Sequence, residues 1–201
     1  MNGGETAERL IEATRELLWE RGYVGTSPRA IQQRAEAGQG SMYHHFEGKP
    51  ALAREAVRRS AERVRARADA DLSAEGSARE RVRGYLLRER AVLRGCQVGG
   101  LSQDPEIVAD PELRAPLEET FAWLQGRLTG VLEEGRERGE FTDGFDTSGT
   151  AAAIVAVVQG GYVLARAAGT PDPFQRAAEG LMSLLDTAAA AGPGTSRDAG
   201  A

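Results

Sequence analysis

The chain has 201 residues, 41% of them hydrophobic and 27% charged, with a formal charge of −5. These are the values of an ordinary globular protein of one large or two modest domains. A single cysteine, Cys96, excludes an internal disulfide and suits a reducing, cytoplasmic location. Glu5, Glu8, Arg9 and Glu12 interrupt the N-terminus, so it does not read as a secretory signal. The most apolar run, 151–158, stops at Gln159 and reads as too short to span a bilayer, so no membrane association is expected.

Every periodic segment repeats near 3.6 residues and none alternates, which predicts an all-α chain of about nine helices. The first helix covers about 6–21, with Leu10, Ile11, Thr14, Leu17 and Leu18 on one stripe and Gly22 as its stop. Ser27 caps a short second helix over about 28–35, with Pro28 at its first position. A third short helix covers about 39–45. Two short helices joined by Glu36, Ala37 and Gly38 outline a helix-turn-helix, whose second helix enters a DNA major groove. A fourth helix begins at Pro50 and runs to about 72, long enough to leave a first domain and reach a second. The segment 73–77 is the predicted boundary.

Beyond it, a helix is expected over 78–94 with Val82, Tyr85, Leu86 and Leu93 inward, broken by the glycines at 95–100. A short helix near 102–109 ends at Asp110-Pro111. That pair opens a longer helix carrying Leu113, Leu117, Phe121, Leu124, Leu128, Val131 and Leu132, bent by Pro116. The last two helices cover about 147–168 and the segment from Asp172-Pro173 to about 188. The stripe of the final helix is Phe174, Ala177, Leu181, Leu184, Leu185 and Ala188. Residues 192–201 read as a disordered tail.

The segment Gly22-Tyr23, Thr26-Ser27, Ile31, Gly40, Met42-Tyr43, His45-Phe46, Lys49 and Leu52 resembles, in order and spacing, the DNA-binding domain of the tetracycline-repressor (TetR) family of bacterial transcription regulators. The resemblance covers about 5–52 and implies a helix-turn-helix domain over 1–50. Helix 4 then connects it to a ligand-binding and dimerisation domain over 73–191. One departure concerns the turn: the family has Ala-Gly-Val-Ser where this chain has Ala35-Glu36-Ala37-Gly38. Either Glu36 holds a positive φ, uncommon for a non-glycine residue, or the bend shifts to Gly38.

Recognition divides into base and phosphate contacts. Gln39, Gly40 and Ser41 stand at the start of the third helix, the end that points into the groove. Gln39 can bond to adenine or donate to guanine, Gly40 lets the backbone approach, and Ser41 can bond to either. The resemblance implies a phosphate contact for Tyr43 and a phosphate or base contact for His44. Lys49, a cation at a helix N-terminus, opposes the macrodipole and is read as a phosphate ligand. Thr26, Ser27 and Arg29 are read as a clamp on the next phosphate. Ten basic residues against four glutamates over 21–67 give this part of an acidic chain a positive balance. For the helix over 54–67 the same run also reads as a solvated Arg/Glu face.

The last two helices carry more small and apolar residues than one buried face needs, which fits a four-helix bundle made by two chains. The resemblance implies the same homodimer, a small-molecule effector in the C-terminal domain, and repression. Tyr85, Cys96, Gln97, Phe121, Trp123, Gln159 and Tyr162 are the candidate pocket residues. His44 and His45 point about 100° apart on a helix and cannot share an ion, so no metal is expected, nor any cofactor. No nucleophile stands at a recognisable spacing from a base, so the chain does not read as an enzyme. The partners expected are duplex DNA, a second copy of the chain and an effector. The alternative is a helical ligand-binding or interaction protein without DNA binding.

Overall fold

The computed structural model describes residues 3–189, and among them the chain forms nine α-helices. The predicted tail at 192–201 lies outside the described residues. Helix α1 spans Gly3–Arg21, α2 Pro28–Arg34, α3 Gln39–His45 and α4 Lys49–Leu72. Helix α5 spans Ala78–Leu87, α6 Pro105–Ala109, α7 Pro111–Glu137, α8 Thr147–Ala168 and α9 Asp172–Thr187.

Local chemistry sets most of these ends. The Ser27 hydroxyl accepts from the Ala30 N–H at 3.2 Å at the mouth of α2. Ser77 and Glu80 form a reciprocal capping box on α5. Asp104, Asp110 and Asp146 cap α6, α7 and α8 through their carboxylates. Gly22 stops α1 at φ 70°. Glu36 takes φ 49°, so the turn between α2 and α3 keeps its bend at the position where the family uses glycine. The two alternatives for that turn resolve in favour of Glu36.

Three cores hold the helices together. The first joins α1, α2, α3 and the start of α4 through Leu10, Leu17, Ile31, Met42 and Leu52, all essentially sealed from solvent. Another fills the far half, with Leu86, Leu128, Leu132, Ile154 and Leu185 between α5, α7, α8 and α9. Between them lies a core that sequence periodicity did not announce. Leu18 and Tyr23 of the head pack with Ala53 and Val57 of α4 and with Val98, Leu101, Ile107, Leu113 and Leu117. Each fully buried aliphatic side chain there contributes about 1.5–3 kcal/mol. The N-terminal head is therefore fused along α4 to the C-terminal half, not strung from it. Arg15, also buried, reaches from α1 to the Ser60 hydroxyl at 3.3 Å and to Glu12.

Several elements differ from the expectation. Helix α4 starts at Lys49, one residue early. The helix expected over 78–94 ends at Leu87, because Arg88 leaves helical geometry at ψ 152° and ion-pairs with Asp71 at 2.8 Å. Leu93, expected inward, is 48% exposed beside a 3-10 turn at Val92–Arg94. Leu93 falls seven positions, about two turns, after Leu86, and that spacing mimics a continuing helix. The helix expected near 102–109 is a 3-10 turn, Gly99–Gln103, followed by α6, since Asp104 caps and Pro105 cannot donate.

Helix α8 runs well past Gln159 and is long and apolar enough, by length and composition alone, to cross a bilayer. The run 151–158 is only the stretch before its first internal polar residue, so it understates the helix. Ala151, Ile154, Val158, Gly161 and Ala165 are buried in the protein, against α7 and α9 among others. Gly161 is where α9 comes closest: an added Cβ would lie 2.8 Å from the Phe174 ring.

Candidate nucleic-acid interface and effector clefts

Helix α3 is fixed from below by Met42, fully buried, and by half-buried Phe46. Gln39 and Gly40 at its first turn are exposed and Ser41 is half-buried. Tyr43 is 54% exposed, and His44 beside it is exposed as well. Nothing lies within 4 Å of a Cβ built on Gly40, so its face is open to an approaching surface. Ser27 and Arg29 at the start of α2 are exposed, and Arg29 has no ion-pair partner among the described residues.

Two of the expected phosphate ligands sit differently. Thr26 is buried, and its hydroxyl donates to the Gly22 carbonyl at 2.7 Å, locking the turn instead of facing solvent. Lys49 bends inward. Its Nζ donates to the Tyr23 carbonyl at 2.8 Å and stands 3.7 Å from the centre of the Tyr23 ring. Burial pulls its pKa below the usual lysine value, against the opposing pull of Glu106 and Asp104. The contact relieves the clash between a cation and a helix N-terminus that the sequence implied.

Half of the ten cations over 21–67 are paired with carboxylates of the same chain. Arg34 pairs with Glu20, Arg54 with Glu112, Arg58 with Glu55 and Glu62, Arg59 with Glu8 and Glu55, and Arg63 with Glu12. The arginines of α4 thus form a solvated ion-pair face with α1 and α7. Arg21, Arg29 and Lys49 near α2, and Arg65 and Arg67 further along α4, have no ion-pair partner among the described residues.

The head is tied to the C-terminal half by Asp104. Its Oδ2 accepts the N–H groups of Tyr23 at 2.7 Å and Val24 at 3.1 Å, while its Oδ1 accepts those of Glu106 and Ile107 at the start of α6. A Cβ on Gly22 would lie 2.9 Å from Oδ2, so this turn needs glycine for space as well as for its φ. A second tie is Trp19, whose indole N–H donates to the Gly95 carbonyl at 3.0 Å under the Arg94 guanidinium.

The candidate pocket residues divide. Cys96, Phe121, Gln159 and Tyr162 line one cleft of about 200 Å³. Cys96, Gln97 and Tyr162 line a neighbouring one of about 380 Å³. Tyr85 and Trp123 line neither. Tyr85 is a sealed core residue whose pKa burial pushes up to about 12, and Trp123 packs partly buried on the far core. Sequence reasoning missed Trp19, Arg90 and Asp104. The Asp104-Pro105 cap was readable; nothing in the spacing marked the other two.

Two short helices joined by a tight turn, the second core-anchored below and exposed above, on an all-helical body, are the architecture of a helix-turn-helix DNA-binding protein. The family model for bacterial regulatory proteins of the tetR family matches residues 10–56, and that for the tetracyclin repressor-like C-terminal domain matches 79–181. The chain belongs to the TetR family and is a DNA-binding transcription regulator.

Among curated relatives it is similar to the transcriptional repressor NemR of Escherichia coli strain K12. The two are 23% identical over 192 residues, 92% of this chain and 96% of the relative. It is also similar to the regulator LmrA of Bacillus subtilis strain 168, at 24% identity over 92% of this chain and 99% of that one. A TetR regulator from Chloroflexus aurantiacus superposes with a TM-score of 0.81 at 26% identity, covering 93% of this chain and 97% of that one. TetR-family regulators bind DNA and act as dimers with small-molecule effectors.

Proposed function

We propose that the protein is a repressor that binds a palindromic operator as a homodimer and is released by a small molecule held in its C-terminal half. The observation that carries the reading is α3: a polar, exposed first turn on a helix whose underside is pinned by Met42. In this reading Gln39, Gly40 and Ser41 meet base edges, and Ser27, Arg29, Tyr43 and His44 meet phosphates. Lys49 joins them with the two N–H groups that Tyr23 leaves free. Thr26 serves the turn and not the DNA.

Dimerisation through α8 and α9 is supported by Val163, Leu164 and Leu184, which stand 53%, 56% and 67% exposed on those two helices. Large aliphatic side chains left exposed on both helices are what an apolar interface along them would cover. A two-fold pair would set two α3 helices about 34–36 Å apart, one turn of duplex. The cytoplasm, where the chromosome lies, is the expected compartment.

The test is a titration of DNA from upstream of the protein's own locus, by gel shift. Saturable, salt-sensitive binding that survives competitor DNA is expected. Gln39→Ala should cost about 1–3 kcal/mol at one base pair per half-site and little elsewhere. Binding that competitor abolishes, or a Gln39→Ala loss spread evenly over all sequences, would refute base readout by α3.

A further inference from the structure

We infer that the cleft between α1, α4 and the connection 88–97 takes a small organic anion, its carboxylate held by Arg90 and its flat apolar body lying among Trp19, Val64 and Tyr162. This rests on the reading of the C-terminal half as an effector domain and names the chemical class of the effector.

The cleft is about 380 Å³, the scale of a small-molecule site. Arg90 lines it and is the odd group in it. Its Nε and Nη1 are sealed from solvent and meet no hydrogen-bond acceptor among the described residues. Its one bond runs from Nη2 to the Tyr85 carbonyl. Otherwise the guanidinium lies over two rings, 5.2 Å from the centre of Tyr85 and 5.4 Å from that of Phe174. Burial draws its pKa below the usual arginine range, followed by repulsion from Arg88.

A desolvated cation with unmet donors is costly unless something completes it. The neighbouring charges do not. Asp71 is engaged by Arg88 at 2.8 Å, Glu89 is exposed, and Arg67 on the rim adds a second unpaired cation. A carboxylate matches the guanidinium in charge, and once Nη2 leaves the Tyr85 carbonyl that nitrogen forms a two-pronged edge with either Nε or Nη1. Turning the guanidinium out to the cleft gives up the Tyr85 bond and the stacking on the two rings, which the ion pair with the ligand replaces. Trp19 has already given its N–H to Gly95, so it presents ring and not donor to the cleft. Trp19 also belongs to α1, so a ligand seated there touches the DNA-binding head directly.

Naphthoate and naphthamide, the same body with and without the charge, test this by isothermal titration calorimetry on the full-length chain. Naphthoate should bind at least about tenfold tighter. In Arg90→Met the preference should vanish while the ligand-free melting temperature does not fall, because an unmatched buried charge has been replaced by an apolar chain of similar length. Arg90→Lys should keep part of the preference and serves if Arg90→Met does not fold. Equal binding of the two probes, binding of neither at millimolar concentration, or a preference that survives Arg90→Met overturns the inference. Operator titrations without ligand fail or succeed independently: lost DNA binding with an intact naphthoate preference would sink the regulatory reading alone.

Discussion

Replacing Asp104 by alanine should cost about 2–4 kcal/mol, far more than a half-buried surface carboxylate normally would. The figure is assembled from its four partners. Loss of the α6 cap, where Oδ1 accepts from Glu106 and Ile107, removes about 1 kcal/mol. Loss of Oδ2 strands the N–H of Tyr23, whose side chain is buried in the junction core, at about 1–3 kcal/mol. The Val24 N–H is exposed and adds little. Asp104→Asn keeps an acceptor without the charge and should cost about half as much.

Gly22→Ala attacks the same clamp from the other side, through the 2.9 Å approach to Oδ2 and a left-handed φ. The double variant Gly22→Ala/Asp104→Ala should therefore lose at least about 0.5 kcal/mol less than the sum of the two singles. Urea unfolding followed by tryptophan fluorescence reads all three through the midpoint at constant slope. Because the clamp joins the α1–α2 turn to α6, Asp104→Ala should also blunt effector release while operator affinity survives. An Asp104→Ala protein within about 0.5 kcal/mol of wild type, or strict additivity with Gly22→Ala, would show that the clamp does not couple the two halves.

Leu184→Glu should yield a monomer by sedimentation with unchanged helical circular dichroism, since the residue is 67% exposed in one chain; a stable dimer would move the interface elsewhere. Lys49→Ala should weaken operator binding nearly equally across sequences and flatten the salt slope by about one phosphate. It should also destabilise the Tyr23 turn, so its affinity is to be compared at matched folded fraction. Unchanged affinity and slope would assign Lys49 to the turn alone. Glu55 is held below its ordinary 4.5 first by hydrogen bonding to Arg58, against burial, and then by Arg59. The folded chain thus binds its proton less readily than the unfolded one. Its stabilisation is full above about pH 4.5 and lost as pH falls through the folded value. Glu55→Gln should remove a few tenths of a kcal/mol at neutral pH and reduce the acid dependence by the same amount. No change in the acid limb would show the pairs to be energetically idle.

The helix-turn-helix itself was legible because it is local. Ser27 caps within three residues, Gly22 stops α1, and the buried Met42 with exposed Gln39 and Tyr43 follows from 3.6-residue periodicity over one short helix. The arginines of α4 were legible as a solvated Arg/Glu face, but their partners were not. Arg59 pairs with Glu8 and Arg63 with Glu12 across 51 positions, so part of the basic run is neutralised by another helix.

Periodicity and helix-end signals by themselves determined an all-helical chain with a helix-turn-helix, since both depend on residues within a few turns of one another; the family came from the resemblance of the motif between Gly22 and Leu52. Only the tertiary structure decided that Lys49 leans on Tyr23, that Asp104 ties the head to α6, and that Arg90 is left half-buried over two rings with two sealed donors unmet. Those arrangements depend on which distant groups meet in a dry interior, where an unmatched charge costs most and so carries the most information about what is meant to bind there.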